Sequence, residues 1–288
     1  MRRTRPKLLP PEVKVAYQNE RFMDSPEART LRIAAEYLEP QVRLKRAGVQ
    51  HTVVFFGSAR IQPRDEAQQR LRQLLVRRKS GKIALTTDEL RTARMALRMS
   101  HYYEQARELA RLITEWSLSL KNGSHFLVVC SGGGPGIMEA ANRGASEAGG
   151  VSIGFNIKLP TEQSANPYVT PELNFLFRYF FTRKLWFAQP SRAVVVFPGG
   201  FGTMDELWEF LTLIQTHKMG HRISLLLYGS SFWKKAVNFR WLRETGTVSR
   251  EELNVIQLVN SPQEAFKIIR EKLTALLRLQ PAPSYPFI

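Results

Sequence analysis

Residues 193–218 read AVVVFPGGFGTMDELWEFLTLIQTHK: a short apolar run, a glycine-rich turn and a segment of helix length. The β-branched run AVVVF predicts a buried strand, PGGFGT predicts a turn, and the residues from Met204 to Lys218 predict a helix. A strand, a tight turn and a helix in this order are typical of a parallel sheet. The stretch therefore indicates an α/β fold.

The same alternation occurs on both sides of this stretch. HTVVFF and HFLVVC are apolar runs that end at glycine-bearing turns, and VSIGFNI and ISLLLYG are further candidate strands. IMEAANRGASEAG and FLFRYFFTRKLWFA (175–188) each predict a helix, and a helical region closes the chain. Short apolar strands that alternate with helices predict a Rossmann-like, doubly wound, mainly parallel sheet flanked by helices.

Three segments lie outside this alternation. Residues 1–50 predict a helical N-terminal extension, and residues 281–288 read as a tail. A basic helical insertion at about 62–120, with a break at Lys79–Lys82, interrupts the Rossmann-like domain, which then spans 51–280.

The chain carries 42 Lys and Arg against 25 Asp and Glu, a formal net charge of +17. Such a charge attracts polyanions and phosphorylated ligands but says nothing about fold. Most of the excess lies in the extension and the insertion, so nonspecific polyanion binding through the insertion is expected. No recognisable nucleic-acid-binding motif accompanies it.

Other classes of protein are excluded by composition. No run approaches the roughly eighteen apolar residues that span a bilayer, so no membrane partner is expected. The basic N-terminal residues lead into prolines rather than an apolar core, which does not fit a secretory signal. The single cysteine, Cys130, fits a reducing cytoplasm and ends an apolar run, so we expect it to be buried.

Glycine-bearing turns follow three of the predicted strands. In a parallel sheet they open at one edge, where backbone N–H groups and helix N-termini bind anions. Neither G-x-x-x-x-G-K-[ST] nor G-x-G-x-x-G is present, which argues against a P-loop NTPase and a typical NAD dehydrogenase. The sequence therefore predicts a nucleotide phosphate site, with candidate residues Gly57, Ser58, Gly132, Gly133, Gly134, Gly136, Gly199, Gly200, Gly202 and Thr203.

Two acidic residues follow these turns by about one helical turn. Glu206 would stand beside a bound phosphate and face its sugar, but Thr203 and Glu206 also fit a T-x-x-E capping box, which needs no ligand. Glu139 would bind a ribose hydroxyl or merely compensate a helix dipole. The spacing leaves both pairs of interpretations open. The histidines show no metal-ligand spacing, so neither a metal nor another cofactor is expected.

At Arg183-Lys184 and PGGFGTMDE (198–206) the chain resembles the Lonely Guy (LOG) family of cytokinin riboside 5′-monophosphate phosphoribohydrolases, often labelled possible lysine decarboxylases. The spacing between the two motifs is also similar. The resemblance extends to Gly57-Ser58, to GGGPGIMEAANRGA and to LPTEQSANPY, and covers roughly residues 50–270. The extension and the basic insertion depart from the pattern of short family members.

The resemblance implies hydrolysis of the N-glycosidic bond of a nucleoside 5′-monophosphate, such as AMP or a cytokinin ribotide, to free base and ribose 5-phosphate. It implies catalytic roles for Arg183 and Glu206 and a phosphate contact for Lys184. A guanidinium stays protonated, so we expect Arg183 to hold the phosphate, orient Glu206 or stabilise the departing base. A homodimer or larger homo-oligomer is implied because family sites lie close to a subunit interface.

A carrier function stays open as an alternative, whereas lysine decarboxylation is rejected. A non-catalytic nucleotide or molybdenum-cofactor carrier is the alternative, because similar folds include such carriers. Lysine decarboxylation usually needs pyridoxal phosphate on a lysine, and apart from the label nothing in the sequence suggests such a site.

Overall fold

The computed structural model describes residues 14–79, 86–120, 125–160, 164–219 and 222–279. In this part of the chain, seven strands form one sheet in the order β4-β3-β2-β1-β5-β6-β7, and every neighbouring pair is parallel. The prediction of a doubly wound, mainly parallel sheet is confirmed. The strands are β1 (His51–Phe56), β2 (Leu127–Ser131), β3 (Ser152–Ile157), β4 (Asn174–Phe177), β5 (Ser191–Val196), β6 (Ser224–Tyr228) and β7 (Ile256–Val259).

Helices cover both faces of this sheet. The helices within the described ranges are α1 (Glu20–Met23), α2 (Arg29–Arg46), α3 (Arg64–Lys79), α4 (Thr87–Met99), α5 (His101–Ser119), α6 (Ile137–Glu147), α7 (Phe180–Ala188), α8 (Phe201–Gln215), α9 (Ser230–Ala236), α10 (Phe239–Glu244), α11 (Arg250–Leu253) and α12 (Pro262–Leu279).

The strand order has a switch point between β1 and β5. From β1 the chain adds β2, β3 and β4 on one side, and it then returns to place β5, β6 and β7 on the other. In open α/β sheets, ligands bind at such a point, outside the carboxyl ends of the strands. The topology alone therefore directs attention to the residues that follow β1, β2 and β5.

A separate apolar core lies on each face of the sheet. On one face α5, α6 and α12 pack against alternate side chains of the strands, with Tyr103 and Leu109 fully buried. On the other face α2, α7, α8 and α9 do the same, with Trp186 and Trp233 fully buried. Strands buried on both faces read as continuous apolar runs, which explains why their sequences show so little alternation.

The extension and the insertion both contribute to these cores. Helix α2 of the extension inserts Leu44 into the second core, and α5 of the insertion is a main element of the first. The division into segments 1–50, 51–280 and 281–288 stays a prediction. The predicted tail, most of the predicted break at 79–82 and the first thirteen residues lie outside the described ranges.

Two helix predictions are corrected by the structure. Segment 175–188 is not one helix, because its start belongs to β4 and only Phe180–Ala188 forms α7. Along β4 the side chains alternate between exposed and buried, which is the period of a strand. The predicted turn PGGFGT is also too long: α8 begins at Phe201, so Gly202 and Thr203 already lie in its first turn. The edge strand β7 was not predicted, because its sequence IQLV is only four residues long and contains a polar glutamine among the apolar residues.

The structure also addresses two expectations drawn from composition: that Cys130 is buried and that no segment crosses a membrane. Cys130 is fully buried in the second core, as predicted, and burial raises the pKa of its thiol well above the ordinary value. Among the described residues, no helix combines the length and the hydropathy that crossing a bilayer requires.

Helices α5 and α6 touch at Gly144, which gives a stability prediction. A Cβ at this position would lie 2.0 Å from the carbonyl oxygen of Arg107. Gly144→Ala is therefore expected to lower the free energy of unfolding by about 3 kcal/mol, because the two helices must separate. Urea denaturation followed by circular dichroism measures this, with the exposed Ser146→Ala on the same helix as the control. Since alanine is the better helix former, an unchanged or higher stability would contradict the close packing.

Candidate active site

The three glycine-bearing turns meet at the carboxyl edge of the adjacent strands β2, β1 and β5. The turn after β1 bonds to both of the others: the Ser58 N–H donates to the carbonyl oxygen of Pro198 at 3.0 Å, and the Ser58 carbonyl accepts from the Ile137 N–H at 3.2 Å. From the loop after β3, the side-chain amide of Asn166 donates to the carbonyl of Gly133 at 3.0 Å. The turns are thus connected by hydrogen bonds into one surface.

These turns line a cleft of about 740 Å³. Ligand clefts commonly have volumes of roughly 300–1,000 Å³, so this one suits a nucleotide. The sequence-predicted residues in its lining are Gly57, Ser58, Gly132, Gly134, Arg183, Gly200, Gly202, Thr203 and Glu206. Each of the three turns contributes to the lining, as expected for strands that end at one edge.

The remaining sequence-predicted residues are outside the lining: Gly133, Gly136, Glu139, Lys184 and Gly199. Gly136 precedes α6 with a φ of 72°, and a Cβ there would lie 2.4 Å from the Ser58 carbonyl oxygen. This glycine therefore serves the contact between two turns. The Glu139 carboxylate accepts a hydrogen bond of 2.6 Å from the Tyr103 hydroxyl on α5, and the structure does not bring it to the cleft.

The first turn of α8 faces the cleft with free backbone donors. Gly200 is the N-cap residue, and no side chain caps the helix. The N–H groups of Phe201 and Gly202 have no carbonyl one turn earlier within the helix, so they can bind an anion, and the helix dipole favours it. The capping-box interpretation of Thr203 and Glu206 is wrong, because Thr203 lies inside the first turn rather than before it.

Glu206 instead forms a buried ion pair with Arg183. Its Oε1 accepts from Arg183 Nη2 at 3.2 Å, and the Glu206 side chain is only 4% exposed. Arg183 Cζ lies 5.2 Å and 5.5 Å from the ring centroids of Phe180 and Phe187, which hold the guanidinium between α7 and the cleft. Helices α7 and α8 thereby bring together the two residues that the sequence proposed as catalytic.

Each partner has one buried polar atom that makes no hydrogen bond among the described residues, although Lys184 Nζ lies 3.6 Å from Glu206 Oε2. Within the described part of the chain, Glu206 Oε2 and Arg183 Nε have no hydrogen-bond partner. Buried polar atoms are nearly always bonded, and unpaired ones mark places where a water or a ligand completes the set. Glu206 Oε2 and Arg183 Nε are therefore the atoms at which a water or a bound molecule would complete the hydrogen bonding of the pair.

Burial shifts the ionisation of the pair. It raises the pKa of the Glu206 carboxyl above its ordinary value, although the positive charges of Lys184 and Arg183 oppose this. It lowers the pKa of Arg183, although attraction to Glu206 opposes this. Opposite shifts at two groups in a cleft are typical of functional sites.

Lys184 lies behind the pair, away from the cleft. Its Nζ is 2.8 Å from Asp205 Oδ2, 2.6 Å from Glu209 Oε2 and 3.6 Å from Glu206 Oε2. Burial alone would lower the pKa of Lys184, but hydrogen bonds to Asp205 and Glu209 raise it. The ammonium therefore stays charged and links α7 to α8.

These residues do not suit pyridoxal phosphate. The described residues that line the cleft include no lysine, and Lys184 is surrounded by three carboxylates that keep it protonated and non-nucleophilic. The described residues also contain no group of three or more His, Cys, Asp or Glu side chains placed to hold a metal ion.

Sequence reasoning did not predict the polar cleft residues Asn156 and Arg60. Asn156 is the penultimate residue of β3, and Arg60 follows the first turn; Phe180, which begins α7 with about half of its surface exposed, also lines the cleft. Asn156 gave a usable signal, because it is a polar residue near the carboxyl end of an apolar strand. Arg60 gave a weaker one, since the surrounding insertion is rich in arginine.

Two other grooves have a different character. One of about 410 Å³, between the C-terminal half of α8 and helices α10 and α11, is mainly apolar and has no glycine-bearing turn. The other lies between α3 and α4 and is lined by Arg78, Arg91, Arg94 and Arg98. Polyanion binding by the insertion stays a prediction, and this arginine-lined groove is the place where it would occur.

Comparison with known proteins identifies one matching family model and several similar solved structures. Residues 138–269 match the model of the family described as "Possible lysine decarboxylase". Two similar solved structures are the X-ray structure of TM1055 and that of the Moco carrier protein from Chlamydomonas reinhardtii. The first is 19% identical with a TM-score of 0.41, covering 77% of this chain and 99% of the other. The second is 20% identical with a TM-score of 0.41, covering 61% and 89%.

No curated protein sequence matches the chain. The matched segment runs from the first turn of α6 into α12, so it contains α7, the PGGFGTMDE motif and the Arg183–Glu206 pair. Over this segment the chain is similar to the family described as possible lysine decarboxylases, in agreement with the resemblance of its motifs to the Lonely Guy family.

Proposed function

We propose that the protein hydrolyses the N-glycosidic bond of a nucleoside 5′-monophosphate to free base and ribose 5-phosphate. The family domain supports a nucleotide-related function. The observation that carries the finer proposal is the carboxylate of Glu206, which lines the cleft formed by the glycine-bearing turns and whose buried Oε2 makes no hydrogen bond among the described residues.

The phosphate binds at the first turn of α8. The N–H groups of Phe201 and Gly202 donate to phosphate oxygens, and Ser58 and Arg60 approach from the turn after β1. A helix N-terminus binds phosphate without a lysine, which agrees with a cleft that has none in its lining. With the phosphate at this end, the sugar lies along α8 toward Glu206, one turn further into the helix.

The reaction adds water across the bond between sugar and base. As that bond breaks, its electrons leave with the base, and positive charge grows on the anomeric carbon and the ring oxygen. The Glu206 carboxylate stabilises this charge and accepts a hydrogen bond from the attacking water. The water oxygen bonds to the anomeric carbon, one proton is lost from it, and the base gains one proton as it leaves.

Arg183 orients Glu206 and supplies positive charge. Its Nη2 fixes Glu206 Oε1, and Oε2, which among the described residues has only the 3.6 Å contact with Lys184 Nζ, is the oxygen that faces the substrate in this proposal. Its Nε is free to donate to the departing base or to a phosphate oxygen. In this proposal the bound ligand completes the hydrogen bonding of both atoms. The homodimer or larger assembly expected from the resemblance stays a prediction.

The phosphate requirement tests this proposal. AMP is expected to release adenine with a kcat/KM at least about a hundredfold above that of adenosine, because adenosine lacks the charge-assisted hydrogen bonds at α8. Chromatographic detection of free adenine measures both rates. Equal rates would remove the phosphate site from the account, and release from neither substrate would remove the proposed reaction.

The pH dependence of the reaction follows from Glu206. Only the carboxylate form stabilises positive charge, so kcat/KM is expected to fall as pH decreases through the pKa of Glu206. Because burial raises that pKa, the fall is centred above 4.5, the ordinary value. Rates are measured over the acid range after the titration of the AMP phosphate has been determined separately. An acid limb centred at or below 4.5 would contradict the role of a buried carboxylate.

A further inference from the structure

Helix α7 carries Arg183 but does not cap its own N-terminus. It begins at Phe180, and the side chain of the N-cap residue Tyr179 makes no capping hydrogen bond. The exposed N–H groups of a helix N-terminus need acceptors, and a negative charge nearby is favourable. In this chain an acceptor beside that end comes from the N-terminal extension, and it bonds to the N–H groups of the two residues that precede α7 and to the Thr182 hydroxyl in its first turn.

The acceptor is Glu36 of α2, which is about 140 residues away in sequence. Its Oε1 accepts from the Arg178 N–H at 2.7 Å, and its Oε2 accepts from the Tyr179 N–H at 3.3 Å and from the Thr182 hydroxyl at 2.5 Å. The main-chain carbonyl of Glu36 accepts from Trp186 Nε1 at 3.1 Å. One residue thus bonds to both ends of α7.

Two arginines of α2 attach the extension to the same segment. Arg43 Nη2 donates to the carbonyl oxygens of Glu172 at 2.8 Å and Asn174 at 2.9 Å, at the start of β4. Arg32 Nε donates to the Tyr179 hydroxyl at 3.3 Å. The contacts of α2 therefore follow the chain from β4 to α7, where Arg183 is the residue directly after Thr182.

We propose that Glu36 is a positioning residue for the Arg183–Glu206 pair. The inference rests on the proposed function for its catalytic consequence. Arg183 reaches Glu206 through one hydrogen bond of 3.2 Å, so a displacement of α7 by about 1 Å breaks the pair. Glu36 fixes the first turn of α7, and it thereby fixes the place of the guanidinium.

The positioning role predicts an effect on turnover rather than on substrate binding. Glu36→Ala is expected to lower kcat by at least about tenfold, because small displacements of catalytic groups are costly. The KM for AMP is expected to change less than about threefold, since the backbone N–H groups at the start of α8, which Glu36 does not contact, supply the main proposed phosphate contacts. Glu36→Gln keeps one acceptor oxygen and is expected to give an intermediate kcat.

The experiment combines turnover with amide hydrogen exchange, on the full chain. Exchange of a peptide covering residues 174–188 is expected to be about tenfold faster in Glu36→Ala, the equivalent of losing one helix cap. Glu20→Gln removes an exposed glutamate of α1 and serves as the control. Glu36→Gln keeps the test valid if the alanine variant does not fold.

The outcomes separate this inference from the proposed function. Faster exchange at 174–188 together with a lower kcat and a constant KM supports the positioning role. Unchanged exchange, or a kcat equal to that of Glu20→Gln, overturns it. If the wild-type protein releases no base, the proposed function fails, and the exchange measurement still decides whether Glu36 holds α7.

Discussion

Replacing Glu206 with alanine is expected to lower the rate of base release from AMP by about a thousandfold. The variant loses the carboxylate that the described residues contribute to the lining of the cleft, where it faces the developing positive charge in this proposal. AMP is still expected to bind with a similar Kd, because the backbone donors at the start of α8 remain. Single-turnover release of adenine and equilibrium binding of AMP measure the two effects.

Two further variants isolate the role of Glu206. Glu206→Gln preserves the shape of the side chain and is expected to lose activity to a similar extent, because it lacks the charge. Glu209→Ala removes a carboxylate on the same helix that also contacts Lys184 but does not line the cleft, so its activity is expected to stay within about threefold of wild type. A Glu206→Ala variant that releases base as fast as Glu209→Ala would refute the assignment.

The second large effect is expected at Arg183. Arg183→Lys keeps the charge but is expected to lower kcat by about a hundredfold, because lysine cannot both bond Glu206 and direct a second donor into the cleft. The flat contacts with Phe180 and Phe187 are also lost. Arg178→Lys, an exposed change two residues before α7, is the matched control and is expected to keep the wild-type kcat. A kcat retained by Arg183→Lys would show that charge alone is sufficient.

The strands and turns were predictable because their signals are local. Each central strand is buried on both faces and therefore reads as an apolar run, and each ends at a turn where glycine is visible in the sequence. Parallel strands bring their ends to one edge, so the meeting of the turns after β1, β2 and β5 followed from the pattern alone.

Segment boundaries were less predictable where several apolar residues are adjacent. In FLFRYFF every apolar side chain suits a helix or a strand, and only the burial of Phe175 and Phe177 but not Leu176 identifies β4. Thr203 was interpreted as a candidate N-cap because threonine followed by glutamate three residues later fits a capping box, although threonine also occurs in the first turn of helices. The actual N-cap is Gly200, whose lack of a side chain leaves the helix N-terminus open to a ligand.

The central residues of the candidate site were predictable from the sequence, but the contacts that hold them in place were not. The family motifs identified Arg183 and Glu206, and the structure brings them within hydrogen-bond distance. Glu139 has the same relation to its turn as Glu206 has, yet it faces Tyr103 on α5, because the insertion covers that side of α6. The bond from Glu36 to α7 joins residues 142 positions apart, and no local pattern announces such a pairing.

The products formed from a panel of nucleoside 5′-monophosphates test the central claim most directly. Wild-type protein is incubated with each nucleotide, and free base, ribose 5-phosphate, nucleoside and phosphate are quantified by mass spectrometry. We expect equal amounts of free base and ribose 5-phosphate, with no nucleoside. Tight binding of a nucleotide without release of base would contradict it and would make the protein a carrier.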